Sequence, residues 1–233
     1  MKEYNSEISV FLENKGVGLY GFADLSNIPL EQRYDFPRSI SFAFPLRKEI
    51  VRQIVEGPTL EYENEYVRLN ELLLSTGKEI EEHIRSTGYK AAALEATVRK
   101  LDPKTLAVML PHKTSATLAG LGWIGKSDLL VNAKFGSAMR LSTVLTDLPL
   151  TTGKAIEESK CGDCVICVAK CPAKAIKGVN WKRGMKREEI YNAYSCRKKA
   201  DELTGIANIK HTICGICIAN CPYTLKYLEK EIG

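Results

Sequence analysis

No apolar run in this chain approaches the ~18 residues that a membrane span needs. The longest candidate covers only residues 40–46, so no membrane partner is expected. The opening Met1-Lys2-Glu3-Tyr4-Asn5 carries an acid early and is followed by no apolar core of the kind a secretory signal requires. The expectation is a cytoplasmic protein. Aromatic residues make up only 8%, and the net charge of +5 over 233 residues is too mild to imply nucleic acid by itself. Apolar content of 45% and charged content of 26% are ordinary globular usage, which excludes disorder and collagen-like repeats. The largest absence is chemical: the first 160 residues contain no cysteine.

All eight cysteines follow, at positions 161, 164, 167, 171, 196, 214, 217 and 221. A secreted disulfide scaffold would spread its bridges along the chain, and a reducing compartment would not keep them. The length allows one large domain or two small ones. We therefore expect a cysteine-free body over residues 1–154 and a cysteine-dense domain over 155–233.

The body alternates helix and strand. A helix is expected near 6–14, β-type stretches at 16–22 and 39–44, and a helix from Glu61 to about Ser86. In that helix Tyr66, Leu69, Leu73, Ile80 and Ile84 keep helical spacing, and Gly88 is placed to end it. Residues 89–94 then read as a strand, which gives an α/β or α+β body. His112–Leu118 allows one or two helical turns, followed by Gly120-Leu121-Gly122-Trp123-Ile124-Gly125-Lys126. The three glycines let backbone approach a bulky ligand, Trp123 offers a flat apolar face, and Lys126 a cation. The letters match GxGxxG, yet the preceding segment is helical and no long helix follows, so a dinucleotide site fits poorly. His112, just ahead of this loop, is the candidate proton donor, with a backbone-bonded structural histidine as the alternative.

Cys161-x-x-Cys164-x-x-Cys167-x-x-x-Cys171-Pro172 reproduces the bacterial ferredoxin run, whose fourth cysteine ligates the other cluster. Cys214-x-x-Cys217-x-x-x-Cys221-Pro222 repeats it with one cysteine fewer, and Cys196 supplies the eighth thiol. Crossing the fourth ligands assigns Cys161, Cys164, Cys167 and Cys221 to one [4Fe–4S] cluster. Cys171, Cys196, Cys214 and Cys217 go to the other. Paired Cys₄ zinc sites are the alternative, but they do not call for a third cysteine at the same spacing followed by Cys-Pro. Pro172 is placed to begin a helix. A basic stretch runs from Lys170 to Lys210, suited to offsetting cluster charge, docking an acidic electron donor such as a ferredoxin or flavodoxin, or binding RNA. His211 is near enough to Cys214 in sequence to bond a cluster sulfur, while His83 reads as helix surface.

Residues 113–127 with the Gly-Trp-Ile-Gly-Lys loop, Phe135-Gly136, Arg140-Leu141, residues 145–150 and the eight cysteines resemble epoxyqueuosine reductase. The resemblance covers nearly the whole chain and extends to the reductive dehalogenases. It implies a nitroreductase-like body holding cobalamin base-off, reduced by a bacterial-ferredoxin-like double [4Fe–4S] domain. Lys113, Gly120, Leu121, Gly122, Trp123, Ile124, Gly125 and Lys126 would then line the corrinoid. It also implies an acidic proton donor about a dozen residues before the glycine loop. Leu106 stands there, with Asp102 and His112 on either side. The family continues past the clusters into a helical-repeat domain that helps hold transfer RNA. This sequence stops shortly after Pro222, and both departures argue against transfer RNA as substrate. The expectation is a cobalamin-dependent reductase acting on a small-molecule or corrinoid substrate. A non-catalytic electron-transfer or corrinoid-handling protein and a flavin-dependent reductase are the alternatives.

Overall fold

The computed structural model of the protein describes residues 2–97 and 105–230. In chain order its elements begin α1 (Lys2–Asn14), β1 (Leu19–Asp24), β2 (Arg38–Pro45), α2 (Lys48–Gln53), α3 (Leu60–Ser86) and β3 (Ala91–Leu94). They continue α4 (His112–Leu118), β4 (Trp123–Ile124), β5 (Leu130–Val131), β6 (Met139–Thr146) and α5 (Ile166–Lys170). The last are α6 (Arg187–Ile190), α7 (Ala193–Ile206), α8 (Ile216–Ala219) and α9 (Pro222–Glu229). The chain divides into two compact units. One comprises Met1–Phe44, Leu69–Leu121 and Arg140–Ile156; the other comprises Pro45–Arg68, Gly122–Met139 and Glu157–Gly233. The units do not follow a single division at 154/155, because the cysteine-bearing unit also takes in Pro45–Arg68 and Gly122–Met139.

The first unit is α+β. Its sheet has the order β1-β2-β6-β3, with β1 antiparallel to β2 and β3 antiparallel to β6. The interior of β2 is buried at every position, which is why it reads as a continuous run rather than an alternation. Its Ser39 hydroxyl meets that of Ser115 on α4 at 2.7 Å, so the buried polar atom has a partner. Strand β3 lies at the sheet edge, where unpaired backbone groups invite aggregation. Side chains of α3 occupy them: Glu81 Oε2 accepts from the Ala93 N–H at 3.1 Å, and Arg85 donates twice to the Ala91 carbonyl. Helix α1 buries Ile8 and Leu12, and Phe11 stacks on His83, which also bonds Glu7 at 2.9 Å.

The second unit is built from short helices around the thiols. Helices α5 and α8 carry Cys167 and Cys217 and pack on each other, while α8 and α9 also meet α2. Strands β4 and β5 form a hairpin, pairing Trp123 with Val131 and Ile124 with Leu130. A satellite core of Ile124, Trp181 and Ile190 lies beneath it. Buried Glu63 and Glu65 fasten the first turns of α3. Glu63 Oε1 accepts from the Lys210 and His211 amides and from His211 Nδ1, at 2.7, 2.9 and 2.7 Å. Burial alone would raise the Glu65 carboxyl, but Arg68 and Arg47 outweigh it and hold it below the usual carboxylate range. No helix among the described residues is long and apolar enough to cross a membrane.

Candidate iron–sulfur centre

All eight cysteines are free thiols, and all fall in the second unit. Their surroundings sort them. Burial pushes Cys167 up to about 11, and the neighbouring charges that add to this are Cys161, Cys221 and Cys164. Burial also raises Cys214 and Cys217. Cys196 and Cys171 act on Cys214; Cys214, Cys196 and Cys171 act on Cys217, with Cys167 as its one neighbour from the other set. These interactions join Cys161, Cys164, Cys167 and Cys221 in one group and Cys171, Cys196, Cys214 and Cys217 in another, apart from the link between Cys167 and Cys217. Among the described residues no three of His, Cys, Asp and Glu are gathered as ligands of a single ion. Cys161, Cys164, Cys167 and Cys221, together with Cys217, instead line a cavity of about 250 Å³. Buried thiols raised in this way stay protonated unless cations draw off the protons, which is what a ligated iron cluster does. The donor set therefore fits two [4Fe–4S] groups.

Local chain geometry explains how each ligand is presented. Pro222 is the first residue of α9 and leaves Cys221 at its N-cap, where the Thr224 and Tyr223 amides partly offset the burial that raises the thiol. Pro172 behaves otherwise. Lys174 takes a left-handed φ of +48°, its amide bonds the Cys171 carbonyl, and the Ala175 N–H points at Cys171 Sγ at 3.4 Å. The chain turns there into the bridge between Ile176 and Tyr191 instead of starting a helix. Cys196 rides on α7, whose start is capped by Asn192 Oδ1 accepting from the Ser195 N–H at 3.0 Å. Burial raises its thiol, and the neighbouring Tyr191 hydroxyl partly offsets this.

The glycine loop divides between units. Lys113 is half-buried in α4, Gly120 lies against the Lys154 carbonyl, and Leu121 covers Gly21, all in the first unit. Gly122, Trp123 and Ile124 belong to the thiol unit, where Ile124 is core. Gly125, Lys126 and Ser127 line the thiol cavity itself. A side chain at Gly125 would start 2.8 Å from Val131 Cγ2 and 3.6 Å from Cys161 Sγ, so only glycine leaves the sulfur this room. Trp123 is buried, and its Nε1–H has no hydrogen-bond partner among the described residues. A corrinoid rimmed with carboxamides offers the carbonyl that this donor lacks, so the residue fits the group that the loop was expected to hold.

His112 lies in the first unit with both ring nitrogens engaged. Nε2 is 2.9 Å from the Glu95 carbonyl, which only accepts, so Nε2 carries the proton. Nδ1 then accepts from the Thr143 hydroxyl at 2.9 Å. Burial lowers its pKa, and the Glu95 bond only partly opposes this. As a proton donor His112 would have to give up Glu95. Replacing it with Ala removes both bonds, and an expected loss of about 1–3 kcal/mol should appear as a lower Tm with iron content unchanged. Because the folded state disfavours the charged ring, stability should fall as pH drops below about 6.5, the unfolded value. The Ala variant should lose that dependence, which thermal melts between neutral and mildly acidic pH would reveal. Leu106 adopts a left-handed φ of +52°, and Asp102 lies outside the described residues.

Several site residues escaped sequence reasoning. Lys160, Tyr223 and Lys226 line the cavity, and adjacency to Cys161 and Cys221 was the only signal for them. Asp128 and Tyr191 act on Cys196 with no sequence signal at all. Much of the basic stretch is instead paired: Lys182 with Glu158, Arg183 with Glu157, Arg187 with Glu188, Arg197 with Asp201 and Lys199 with Glu202. His211 bonds Glu63, and no bond from it to a cluster ligand occurs among those described.

No family model matches the chain. Curated epoxyqueuosine reductases do. That of Aliivibrio fischeri is 33% identical over 104 residues, 45% of this chain and 24% of the relative. That of Salmonella typhimurium is 31% identical over 129 residues, covering 52% and 30%. That of Lactococcus garvieae is 34% identical over 116 residues, covering 46% and 30%. The chain thus spans a quarter to a third of the length of these relatives. Among solved structures, the catabolic reductive dehalogenase NpRdhA superposes with a TM-score of 0.66 at 18% identity, over 90% of this chain and 30% of that one. Epoxyqueuosine reductase from Streptococcus thermophilus gives 0.62 at 18%, over 95% and 66%. Fold and site together define an α+β protein with eight free cysteines gathered in one unit, built on the fold of the reductive dehalogenases and epoxyqueuosine reductases. Over the matched residues the chain is epoxyqueuosine reductase-like.

Proposed function

We propose that this protein is a cytoplasmic, cobalamin-dependent reductase in which two [4Fe–4S] clusters pass electrons to a base-off corrinoid. The substrate is a small molecule or a corrinoid. The observation that carries this reading is the gathering of eight free thiols in one unit, five of them lining a single cavity. Relatives named epoxyqueuosine reductase, and a reductive dehalogenase of similar fold whose structure suggests a mechanism for B12-dependent dehalogenation, support the corrinoid half. When bound, a corrinoid supplies a metal that collects single electrons and delivers them to a substrate.

The residues of this chain contribute as follows. The thiolates hold the iron, and the short helices α5 and α8 keep the quartets close enough for an electron to pass between them. The Trp123 Nε1–H is free to hold a carboxamide carbonyl. The His112 Nε2–H donates to the Glu95 carbonyl. An external one-electron donor, a ferredoxin or flavodoxin, supplies the thiol unit.

A second reading, a non-catalytic protein that reduces a partner's corrinoid, is favoured by the doubly bonded His112, which leaves no ring nitrogen open to a substrate. Anaerobic purification with iron and sulfide assay and mass identification of the bound organic group tests both. The expected result is two four-iron clusters per chain and a corrinoid. Zinc in place of iron, or flavin in place of corrinoid, overturns the proposal. Clusters without any retained organic group favour the second reading.

A further inference from the structure

We propose that the mouth of the thiol cavity, flanked by Lys160 and Lys226, is the docking face for an acidic one-electron carrier protein that refills the clusters. This rests on the functional reading above and gives its electron donor a place. Every residue of the face lies in the second unit. Lys126, Lys160 and Lys226 line the cavity together with five cysteines, and no carboxylate lines it among the described residues. Lys126 is buried, whereas Lys160 and Lys226 are exposed, so two ammonium groups stand where the cavity meets solvent.

The structure holds both cations in place. Lys160 Nζ lies 5.8 Å from the Trp123 ring centre and Lys226 Nζ 5.6 Å from that of Tyr223. The two rings meet edge to face at 4.9 Å. Cations set over a fixed ring pair lose less freedom when a partner arrives than cations free in water. The Trp123 N–H lies in its ring plane, so a cation over the ring face leaves it open. The acids just before Lys160 are already engaged, Glu157 by Arg183 and Glu158 by Lys182, and Asp163 does not line the cavity.

Exposed apolar side chains accompany the charge. Val165, Ile166 and Leu225 are exposed, and each is the chain neighbour of a cavity-lining residue. A small face of cations and apolar groups suits a transient redox encounter, which steers by charge and releases quickly. A second copy of this chain, itself at net charge +5, brings no complementary sign. Nucleic acid calls for a row of free cations, but Lys182, Arg183, Arg187, Arg197 and Lys199 are held by carboxylates. In the encounter one electron leaves the carrier and enters an oxidised cluster, with no bond made or broken.

Anaerobic stopped-flow reduction of the reconstituted full chain by reduced flavodoxin, an acidic flavoprotein, tests this after iron and sulfide are counted. Photoreduced 5-deazariboflavin, a small uncharged donor that needs no docking face, reduces the same clusters in parallel. The second-order rate with flavodoxin should fall as salt rises, and the deazaflavin rate should not. In the Lys160→Gln/Lys226→Gln variant the ratio of flavodoxin rate to deazaflavin rate should fall about tenfold at low salt. Arginine at both positions should restore it. If the Gln variant fails to hold iron, carbodiimide coupling of flavodoxin to the wild type replaces it and should join flavodoxin carboxylates to Lys160 or Lys226, as read by mass spectrometry. Intact clusters with an unmoved ratio, or coupling only at other lysines, overturn this inference alone. So does an RNA stem–loop that binds the wild type but not the Gln variant while flavodoxin reduces both equally. A chain that binds no four-iron cluster overturns the functional reading and this inference with it.

Discussion

Cys196→Ser should lose about half of the iron that the wild type binds, with the signal of the first cluster retained. Cys196 stands apart from both ferredoxin runs in sequence, yet it lies within electrostatic reach of Cys171, Cys214 and Cys217. Serine keeps the volume but offers an alkoxide far harder to form than a thiolate, so the second cluster loses its fourth ligand. The first quartet uses none of the same sulfurs and should assemble. Cys161→Ser should give the complementary result, leaving the second cluster. Iron, sulfide and paramagnetic resonance measured on both variants decide the matter. Undiminished iron in Cys196→Ser would falsify its assignment, and loss of all iron would show that the quartets do not assemble independently.

Gly136→Ala should cost about 2–4 kcal/mol of stability and deplete the first cluster selectively. Gly136 has a φ of +61° and closes a tight turn in which it exchanges two backbone hydrogen bonds with Asn132, both 3.0 Å. A side chain there would begin 2.2 Å from the Thr224 amide nitrogen and 2.4 Å from its hydroxyl. Those atoms belong to the first turn of α9, and the Ser137 N–H already donates to the Thr224 hydroxyl at 3.1 Å. Left-handed strain and overpacking against backbone both oppose the methyl group. Moving α9 displaces Cys221 at its N-cap, a ligand of the first quartet. Thermal melts of the apo chain should show the stability loss, and iron analysis should show the partial cluster loss. A Tm and iron content equal to wild type would mean that α9 does not position Cys221.

Much of the architecture could be read before the fold was known, for local reasons. Helix α3 follows from the apolar spacing of Tyr66, Leu69, Leu73, Ile80 and Ile84, and the structure gives Leu60–Ser86. The stretch at 39–44 reads as a buried strand because both faces of β2 are covered. The helical turn at His112–Leu118 was legible from its own composition, but the ring bonds of His112 were not, because Glu95 and Thr143 are distant in sequence. The same limit hid the second unit's extent. Nothing local indicates that Glu63 reaches the backbone of Lys210 and His211, or that the Trp123 hairpin shares a compact unit with the cysteines.

The sequence by itself determined the ligand inventory. Eight sulfurs at ferredoxin spacing specify two quartets, since three-residue steps and a crossing fourth ligand are properties of a short stretch of chain. Only the tertiary structure decided which other segments face the thiols. No local pattern indicates that the hairpin turn brings Gly125, Lys126 and Ser127 to the cavity lined by Cys161, Cys164, Cys167, Cys217 and Cys221. The reason is physical: ligand spacing is set by the chain's local covalent geometry, whereas the field at a buried site is set by whatever distant segments fold around it.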